Sequence, residues 1–228
     1  MLTAVLSDIH GNLVALDAVL TDIDRHRPDQ VWCGGDIAWG GPWPSECIAR
    51  VREAGWITVK GNTDVWITGD PQTIEDTDQR KRLQDIAAAH AISEDNAQWL
   101  LNLPIGHSPA GSVLLVHATP ESPFVAPMPD APAAEFAPFQ GKATVVVYGH
   151  VHRAFIRRLV DGTLVCNTGS VGLPMDDISA SYLLLERKGP DLTLTHRRVA
   201  FDRAAAISEA RRRDDAVGEL FLEFMGER

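Results

Sequence analysis

Five short apolar runs rich in β-branched residues punctuate the chain: Leu2–Leu6, Val31–Cys33, Ile57–Val59, Val113–Val116 and Thr144–Tyr148. Runs of this length and composition predict buried strands. After the first, Leu13, Leu16, Ala18, Leu20 and Ile23 fall at helical spacing, and Pro28 ends that helix. Ser45 is the expected cap of a second helix running through Ala54, with Gly55 closing it. The first 65 residues therefore predict a βαβαβ unit with right-handed crossovers. Residues 72–103 are polar and mostly helical, with Ser93 and Glu94 opening a second helical segment that Pro104 closes.

The pattern then changes twice. Residues 118–140 hold six of the 14 prolines and many alanines, which predicts a loop without regular structure. Beyond residue 153 the chain reads as a β meander. Phe155–Val160 and Thr163–Cys166 flank Asp161-Gly162, a type I′ hairpin signal, and Ser181–Glu186 and Leu192–Val199 flank Lys188-Gly189-Pro190. Asp202 is the expected cap of a C-terminal helix with an apolar end at Leu220, Phe221 and Phe224. No repeat divides the chain, so one domain spanning 1–228 is expected.

Nearly every apolar run is followed by residues that bind metals. Asp8-Ile9-His10, Gly35-Asp36, Gly61-Asn62, His117 and Gly149-His150-Val151-His152 come after the five runs in turn. In sheets layered with helices, ligands gather beyond the carboxyl ends of the strands. Asp8, His10, Asp36, Asn62, His117, His150 and His152 are therefore expected to meet, in outline as a binuclear metal centre. Carboxylate, imidazole and amide oxygen suit two divalent transition-metal ions (Mn²⁺, Fe²⁺, Ni²⁺ or Zn²⁺) better than Ca²⁺. Asp36 is the natural bridge, with two oxygens to share. Two metals ~3.5–4 Å apart can clamp a phosphoryl group and ionise a water for in-line attack.

Composition narrows the partners. A net charge of −10 argues against a long nucleic-acid duplex, which needs a basic face. A small anionic substrate remains compatible, because bound divalent metals reverse the local field. No apolar run approaches the ~20 residues of a membrane span, and Met1–Leu6 lacks the basic flank of a signal peptide. Cys33, Cys47 and Cys166 have no framework spacing and read as reduced core thiols of a cytoplasmic protein. The apolar C-terminal end leaves a homo-oligomer open.

At these motifs the chain resembles the calcineurin-like metallophosphoesterases, whose pattern is Asp-x-His, Gly-Asp, Gly-Asn-His-Asp/Glu, His and Gly-His-x-His in that order. The match runs from Asp8 to His152 and keeps all seven ligand positions. It implies an α/β fold, a four-layer αββα sandwich of two mixed sheets packed face to face with helices outside. It also implies Asp8, His10, Asp36 and His152 around one metal, and Asp36, Asn62, His117 and His150 around the other. The stretch Cys166–Pro174 is similar to the Asn-x-Gly-Ser-Val-Gly loop of the small bacterial phosphodiesterase and diadenosine tetraphosphatase-like members. The activity implied is hydrolysis of a small phosphodiester or nucleotide by metal-bound hydroxide. Asn62, His117 and Asp36 would be catalytic, and Asn62, Thr63 and His117 would contact substrate. Alternatives are an asymmetric dinucleoside tetraphosphate hydrolase, a phosphomonoesterase, or a metal-binding scaffold for protein contacts, as in a relative from the retromer coat.

One position departs from the pattern. Thr63 stands where the family's histidine contacts phosphate and can protonate the leaving group, and the role of Asp64 behind it is open. General acid catalysis contributes typically ~10²–10⁴-fold, so its loss should slow poor leaving groups most. Elsewhere the residues read as structure. His26, His90, His107 and His196 are expected to be ordinary polar residues, and Arg157–Arg158, Arg197–Arg198 and Arg211–Arg213 solvated faces. Trp39, Trp43 and Trp66 read first as packing and second as a rim on which a nucleobase could stack. The loop 118–140 reads equally as a surface loop and as a substrate wall.

Overall fold

In the computed structural model, which describes residues 1–68, 74–109 and 112–226, the apolar runs become strands of two mixed five-stranded sheets. The first joins β1 (Leu2–Leu6), β2 (Gln30–Cys33) and β3 (Ile57–Thr58) in parallel. The second has β4 (Gly106–His107) antiparallel at its edge, then β5 (Val113–Val116) and β6 (Val145–Tyr148) in parallel. It continues through the parallel β8 (Leu164–Thr168) to the antiparallel β7 (Ala154–Arg158). The antiparallel pair β9 (Ala180–Lys188) and β10 (Asp191–Val199) completes the first sheet, in the order β10-β9-β1-β2-β3.

Strand parity explains why the runs are apolar throughout, since successive side chains point to opposite faces and both faces are covered. Val5, Trp32, Leu183 and Leu185 meet Val113, Leu115, Val145, Val147 and Cys166 in one buried cluster between the sheets. Ala4, Leu6, Tyr182 and Leu184 take the other face. There they pack on Leu16, Val19 and Ile23 of α1 (Leu13–His26) and Ile48 and Val51 of α2 (Pro44–Glu53). On the far side, Val146, Tyr148 and Val165 of the second sheet pack on Phe136 and Phe139. Each such apolar side chain contributes roughly 1.5–3 kcal/mol on burial. The expected αββα layering is present, and its fourth layer is thin.

That thin layer corrects one expectation. The Pro-rich stretch contains a seven-residue 3₁₀ helix, Ala133–Phe139, with Pro138 inside it. Proline's fixed φ falls within the 3₁₀ range, and residues three apart eclipse on one face of such a helix. Phe136 and Phe139 are that pair, both fully buried.

Four other boundaries differ from the pattern. The second helix starts at Pro44 with Trp43 as its cap and no side-chain cap bond. Proline at the first helical position lacks only an amide that would be unpaired anyway, so Ser45 is not needed as a cap. The β7–β8 hairpin forms, but its loop is five residues long. Only Gly162 has positive φ (91°), so the turn is not type I′. The C-terminal helix is two helices, α6 (Arg203–Arg213) capped by Asp202 and α7 (Ala216–Phe224) capped by Asp215, broken at Asp214 with φ 50°. The short edge strand β4 carried no pattern of its own.

Of the remaining helices, those after the first strand and within residues 72–103 match, and the short one after β3 carried no pattern of its own. Asn12 caps α1, and Arg27 ends it in the left-handed conformation before Pro28. A five-residue α3 (Asn62–Trp66) follows β3. The expected helical segment holds α4 (Thr77–His90) and α5 (Glu94–Leu101), with Ser93 as the cap of α5. Residues 72 and 73 of that segment lie outside the described residues. No helix among the described residues is long and apolar enough to cross a membrane.

Candidate metal centre

All seven candidate ligands lie just past the carboxyl ends of parallel strands from both sheets, six on loops and Asn62 at the start of α3. The loops are tightly built. Asp8 (φ 57°), His10 (49°), Asp36 (54°), His150 (67°) and His152 (57°) all adopt left-handed backbone conformations. Such conformations cost of order 1–3 kcal/mol each and persist where surrounding structure imposes them, most often at functional sites. Two motif glycines permit the close approach. A Cβ on Gly61 would stand 2.0 Å from Asp36 Oδ1, and one on Gly149 would stand 2.4 Å from Asp8 Oδ2.

The side chains form two groups. In the first, single ligand atoms of Asp8, His10, Asp36 and His152 all lie within 4.8 Å of one another. His10 Nε2 is 3.0 Å from His152 Nε2 and 3.6 Å from Asp36 Oδ2, and His152 Nε2 is 3.2 Å from Asp8 Oδ1. In the second, His117 Nε2 is 3.4 Å from Asp36 Oδ2 and 3.0 Å from Asn62 Oδ1. His150 Nδ1 is 2.9 Å from the same Asn62 oxygen. One oxygen of Asp36, Oδ2, faces both groups, while Oδ1 accepts the Thr63 amide at 2.9 Å.

Backbone carbonyls aim the imidazoles. Nδ1–H of His10, His117 and His152 donates to the carbonyls of Trp39, Gly34 and Leu173, each at 2.8 Å. In the neutral tautomer this leaves every Nε2 lone pair directed inward, where the second partner of a ligating histidine characteristically holds it. Two such lone pairs from His10 and His152, 3.0 Å apart, repel unless a cation or proton lies between them. The donor set thus fits divalent ions on its chemistry as well as its spacing.

Further residues hold the loops. Asp64 accepts the amides of Asp36 (2.9 Å), Ile37 (2.9 Å) and Gly61 (2.8 Å), which settles the place of a residue whose role the sequence left open. Ser170 Oγ donates to the Asp8 carbonyl at 2.7 Å and accepts the Leu173 amide at 2.9 Å. Asn167 Nδ2 donates to the Gly149 carbonyl, and Asn12 Nδ2 donates to the Gly172 carbonyl at 2.9 Å. The Asn167–Leu173 loop therefore buttresses the ligand loops. The carbonyls of Gly34, Trp39 and Leu173 escaped the sequence reading because a backbone oxygen carries no residue signature.

Charge is distributed unevenly across the site. Burial pushes the Asp36 carboxyl up, but His117, His10 and His150 outweigh it and hold it well below the usual carboxylate range. Burial likewise opposes protonation of His117, yet the Asp36 charge and hydrogen bond raise it to about 9. His150 is lowered to about 4 by burial and by the charge of His117. Burial and the Asp36 charge together raise Asp64 to about 6.

Thr63 is buried beside Asp36, and its hydroxyl has no protein hydrogen-bond partner. Trp39 is buried against Trp66 and His90, and Trp43 packs beside α6 and α7. Trp66 is half-buried, with its ring 6.4 Å from that of Phe124. None of His26, His90, His107 or His196 joins either group; His196 Nε2–H donates to the Asn167 carbonyl at 2.7 Å. The arginine clusters are less solvated than expected. Arg157 lies over the Phe136 ring, Arg197 pairs with the buried Asp22, and Arg213 pairs with Asp215 and two carbonyls.

Known proteins share this family and fold. The model of the calcineurin-like phosphoesterase superfamily domain matches residues 1–190. The chain belongs to that superfamily. An uncharacterized protein of Methanocaldococcus jannaschii is 29% identical, over 99% of this chain and 96% of its own length. The crystal structure of a metallophosphoesterase from Sphaerobacter thermophilus superposes with a TM-score of 0.76 at 27% identity, covering 98% of this chain and 100% of the other. A hypothetical protein from Pyrococcus horikoshii shares the fold, with a TM-score of 0.80 at 21% identity over 99% and 96% of the two chains. The protein is a phosphoester hydrolase, and Asp8, His10, Asp36 and His152 are a candidate site for a divalent metal.

Proposed function

We propose that the protein is a binuclear, divalent-metal-dependent phosphoesterase acting on a small phosphodiester or nucleotide. The observation that carries this reading is the convergence of two ligand groups on one oxygen, Asp36 Oδ2. Asp8, His10, Asp36 and His152 would hold one ion, and Asp36, Asn62, His117 and His150 the other. Mn²⁺, Fe²⁺, Ni²⁺ and Zn²⁺ suit such nitrogen and oxygen donors. Bound there, the ions supply Lewis acidity and lower the pKa of water for attack on phosphorus.

The chain's own residues do the rest. Asn62, placed by α3 with its Oδ1 toward His117 and His150, keeps its side-chain amide nitrogen as a donor where charge develops on the phosphoryl oxygens, and His117, fixed by the Gly34 carbonyl, acts through the metal it would hold. The unpartnered Thr63 hydroxyl is free to donate to a phosphate oxygen. The segment from Thr119 to Met128, which follows His117 and sets Phe124 against Trp66, serves as a substrate wall. Three free, buried thiols fit a cytoplasmic setting.

The test is a chelator-stripped protein reloaded with Mn²⁺, Ni²⁺, Fe²⁺ or Zn²⁺ and assayed against phosphodiesters, phosphomonoesters and dinucleoside polyphosphates. Two ions per chain with turnover of at least one class is the expected result. A single tightly held ion would defeat the binuclear reading. Two ions without turnover on any substrate would favour a metal-binding scaffold, the reading to which Thr63 lends its only support.

A further inference from the structure

Beyond the ligands, one buried histidine is wired to the first group through a single peptide unit. His90 closes α4 and is 4% exposed. Its Nε2 accepts the Gly40 amide N–H at 3.0 Å, and its ring packs against that of Trp39 with centroids 5.3 Å apart. The carbonyl bonded to that same nitrogen is the one from Trp39, which accepts Nδ1–H of His10 at 2.8 Å. C=O and N–H of a trans peptide point in opposite directions. The Trp39–Gly40 peptide is therefore gripped by His90 at one end and grips His10 at the other. Accepting at the amide also polarises the carbonyl, which strengthens its bond to His10.

A second tie acts on the same turn. Arg213 donates to the Pro42 carbonyl at 3.1 Å and to the Ala89 carbonyl at 2.9 Å, and its guanidinium is held by Asp215, the cap of α7. The turn from Trp39 to Trp43 is thereby locked to the end of α4 on which His90 sits. The second ligand group has no such connection. His117 is aimed by the Gly34 carbonyl, and the His150 amide N–H donates to the Asp8 carboxylate; neither bond involves the Trp39–Gly40 peptide.

We propose that His90 is a positioning residue for the first metal: through the Trp39–Gly40 peptide it fixes the tautomer and aim of His10, and so sets affinity at Asp8, His10, Asp36 and His152 but not at the other group. This rests on the metal-centre reading above. Accepting at Nε2 requires a neutral ring with its proton on Nδ1, and burial together with Arg213 keeps His90 neutral. Nothing in the sequence marked the residue, since it is 80 positions from His10 and sits at the end of a polar helix.

Mn²⁺ titration by calorimetry on full-length protein tests this without reference to turnover. His150→Ala leaves the first group intact, and His152→Ala leaves the second. Replacing a residue that orients a ligating histidine typically costs 10–100-fold in metal affinity, so His90→Leu should weaken Mn²⁺ about tenfold in the His150→Ala background. In the His152→Ala background it should change nothing. His90→Gln, whose amide oxygen can accept the Gly40 N–H, should restore most of the affinity. Arg213→Met should give the same selective loss, and it carries the test should His90→Leu fail to fold. Equal loss in both backgrounds, or no loss in either, would overturn the proposal while leaving the proposed function standing. A wild-type protein that binds no Mn²⁺, Zn²⁺, Ni²⁺ or Fe²⁺ would overturn both.

Discussion

The carboxylate of Asp64 accepts the amide N–H of Asp36 at 2.9 Å, with both groups buried. The same carboxylate takes the amides of Ile37 and Gly61, so it ties the loop after β2 to the loop after β3. Asp36 and Asn62 are held in register by a residue that ligates nothing.

Asp64→Ala should accordingly damage the scaffold before the chemistry. It leaves three buried amides without acceptors, at about 1–3 kcal/mol each. We expect a loss of at least ~3 kcal/mol in urea unfolding measured in chelator, where metals cannot mask it. An unchanged midpoint would show that water replaces the carboxylate.

Asp36→Asn tests the shared oxygen. Oδ2 lies 3.6 Å from His10 Nε2 and 3.4 Å from His117 Nε2, so neutralising it removes charge from both groups at once. Metal content should fall from two ions toward none, and turnover should disappear. Retention of one ion at full occupancy would mean that the two groups are not coupled through this residue.

A pH dependence follows from His90. Its ring titrates at 6.5 when exposed and near 3 when folded, because burial first, and Arg213 second, oppose the charge. Asp215, which favours protonation, and His10, which opposes it, complete its charged surroundings. Between those values the unfolded chain binds the extra proton, so this contribution to stability is complete above pH 6.5 and is lost as pH falls toward 3. One such proton changes unfolding free energy by up to ~1.4 kcal/mol per pH unit. The slope of stability against pH from 4.5 to 6 should therefore be steeper in metal-free wild type than in His90→Gln. Parallel slopes would show that His90 already protonates in the folded state.

The convergence of the candidate ligands was legible because each stands within four residues of the end of a parallel strand, where a continuous apolar run switches to Asp, His or Asn. Their supports were not. The Trp39 carbonyl, the Gly40 amide and His90 act through backbone atoms and across 50 residues of sequence. Asp64, whose role the sequence left open, is a three-amide acceptor. Asp215 could have been read as a cap, since it precedes the apolar run of α7, but the helix-forming residues before it hid the break. The 3₁₀ helix was masked by its prolines. Only the burial of Phe136 and Phe139 against β6 shows why it forms.

That burial divides the segment after His117 into two parts with different expected phenotypes. Phe136→Ala should cost ~3–5 kcal/mol in stability, as large-to-small core changes do, and leave KM unaltered. Replacing Phe124 and Val125 with glycine should do the reverse. Val125 is 70% exposed and Phe124 meets Trp66, so little core is lost. KM should shift severalfold among nucleotide substrates while metal content stays at the wild-type value. Loss of metal in the glycine variant would make this stretch a support of the centre rather than a wall of the substrate site.

The position with the sharpest consequence is Thr63. Its amide donates to the Asp36 carboxylate, while its hydroxyl is buried and has no protein partner. It can donate a hydrogen bond but cannot deliver a proton near neutral pH. Asp64 cannot stand in, because its carboxylate is committed to three amides. Rates should therefore depend steeply on leaving-group pKa. Aryl esters such as p-nitrophenyl phosphodiesters depart without protonation and should turn over readily, while alkyl esters should lag. Thr63→His should narrow that gap. A general acid is worth ~10²–10⁴-fold at most, so alkyl esters should gain up to that range and aryl esters far less. The imidazole must stand without help from Asp64, which places the expected gain at the lower end. The measurement is a series of kcat/KM values across leaving groups for both proteins, with metal content matched. A flat series in the wild type, unchanged by Thr63→His, would mean that another group already donates the proton, and the acid-free account of this site would fall.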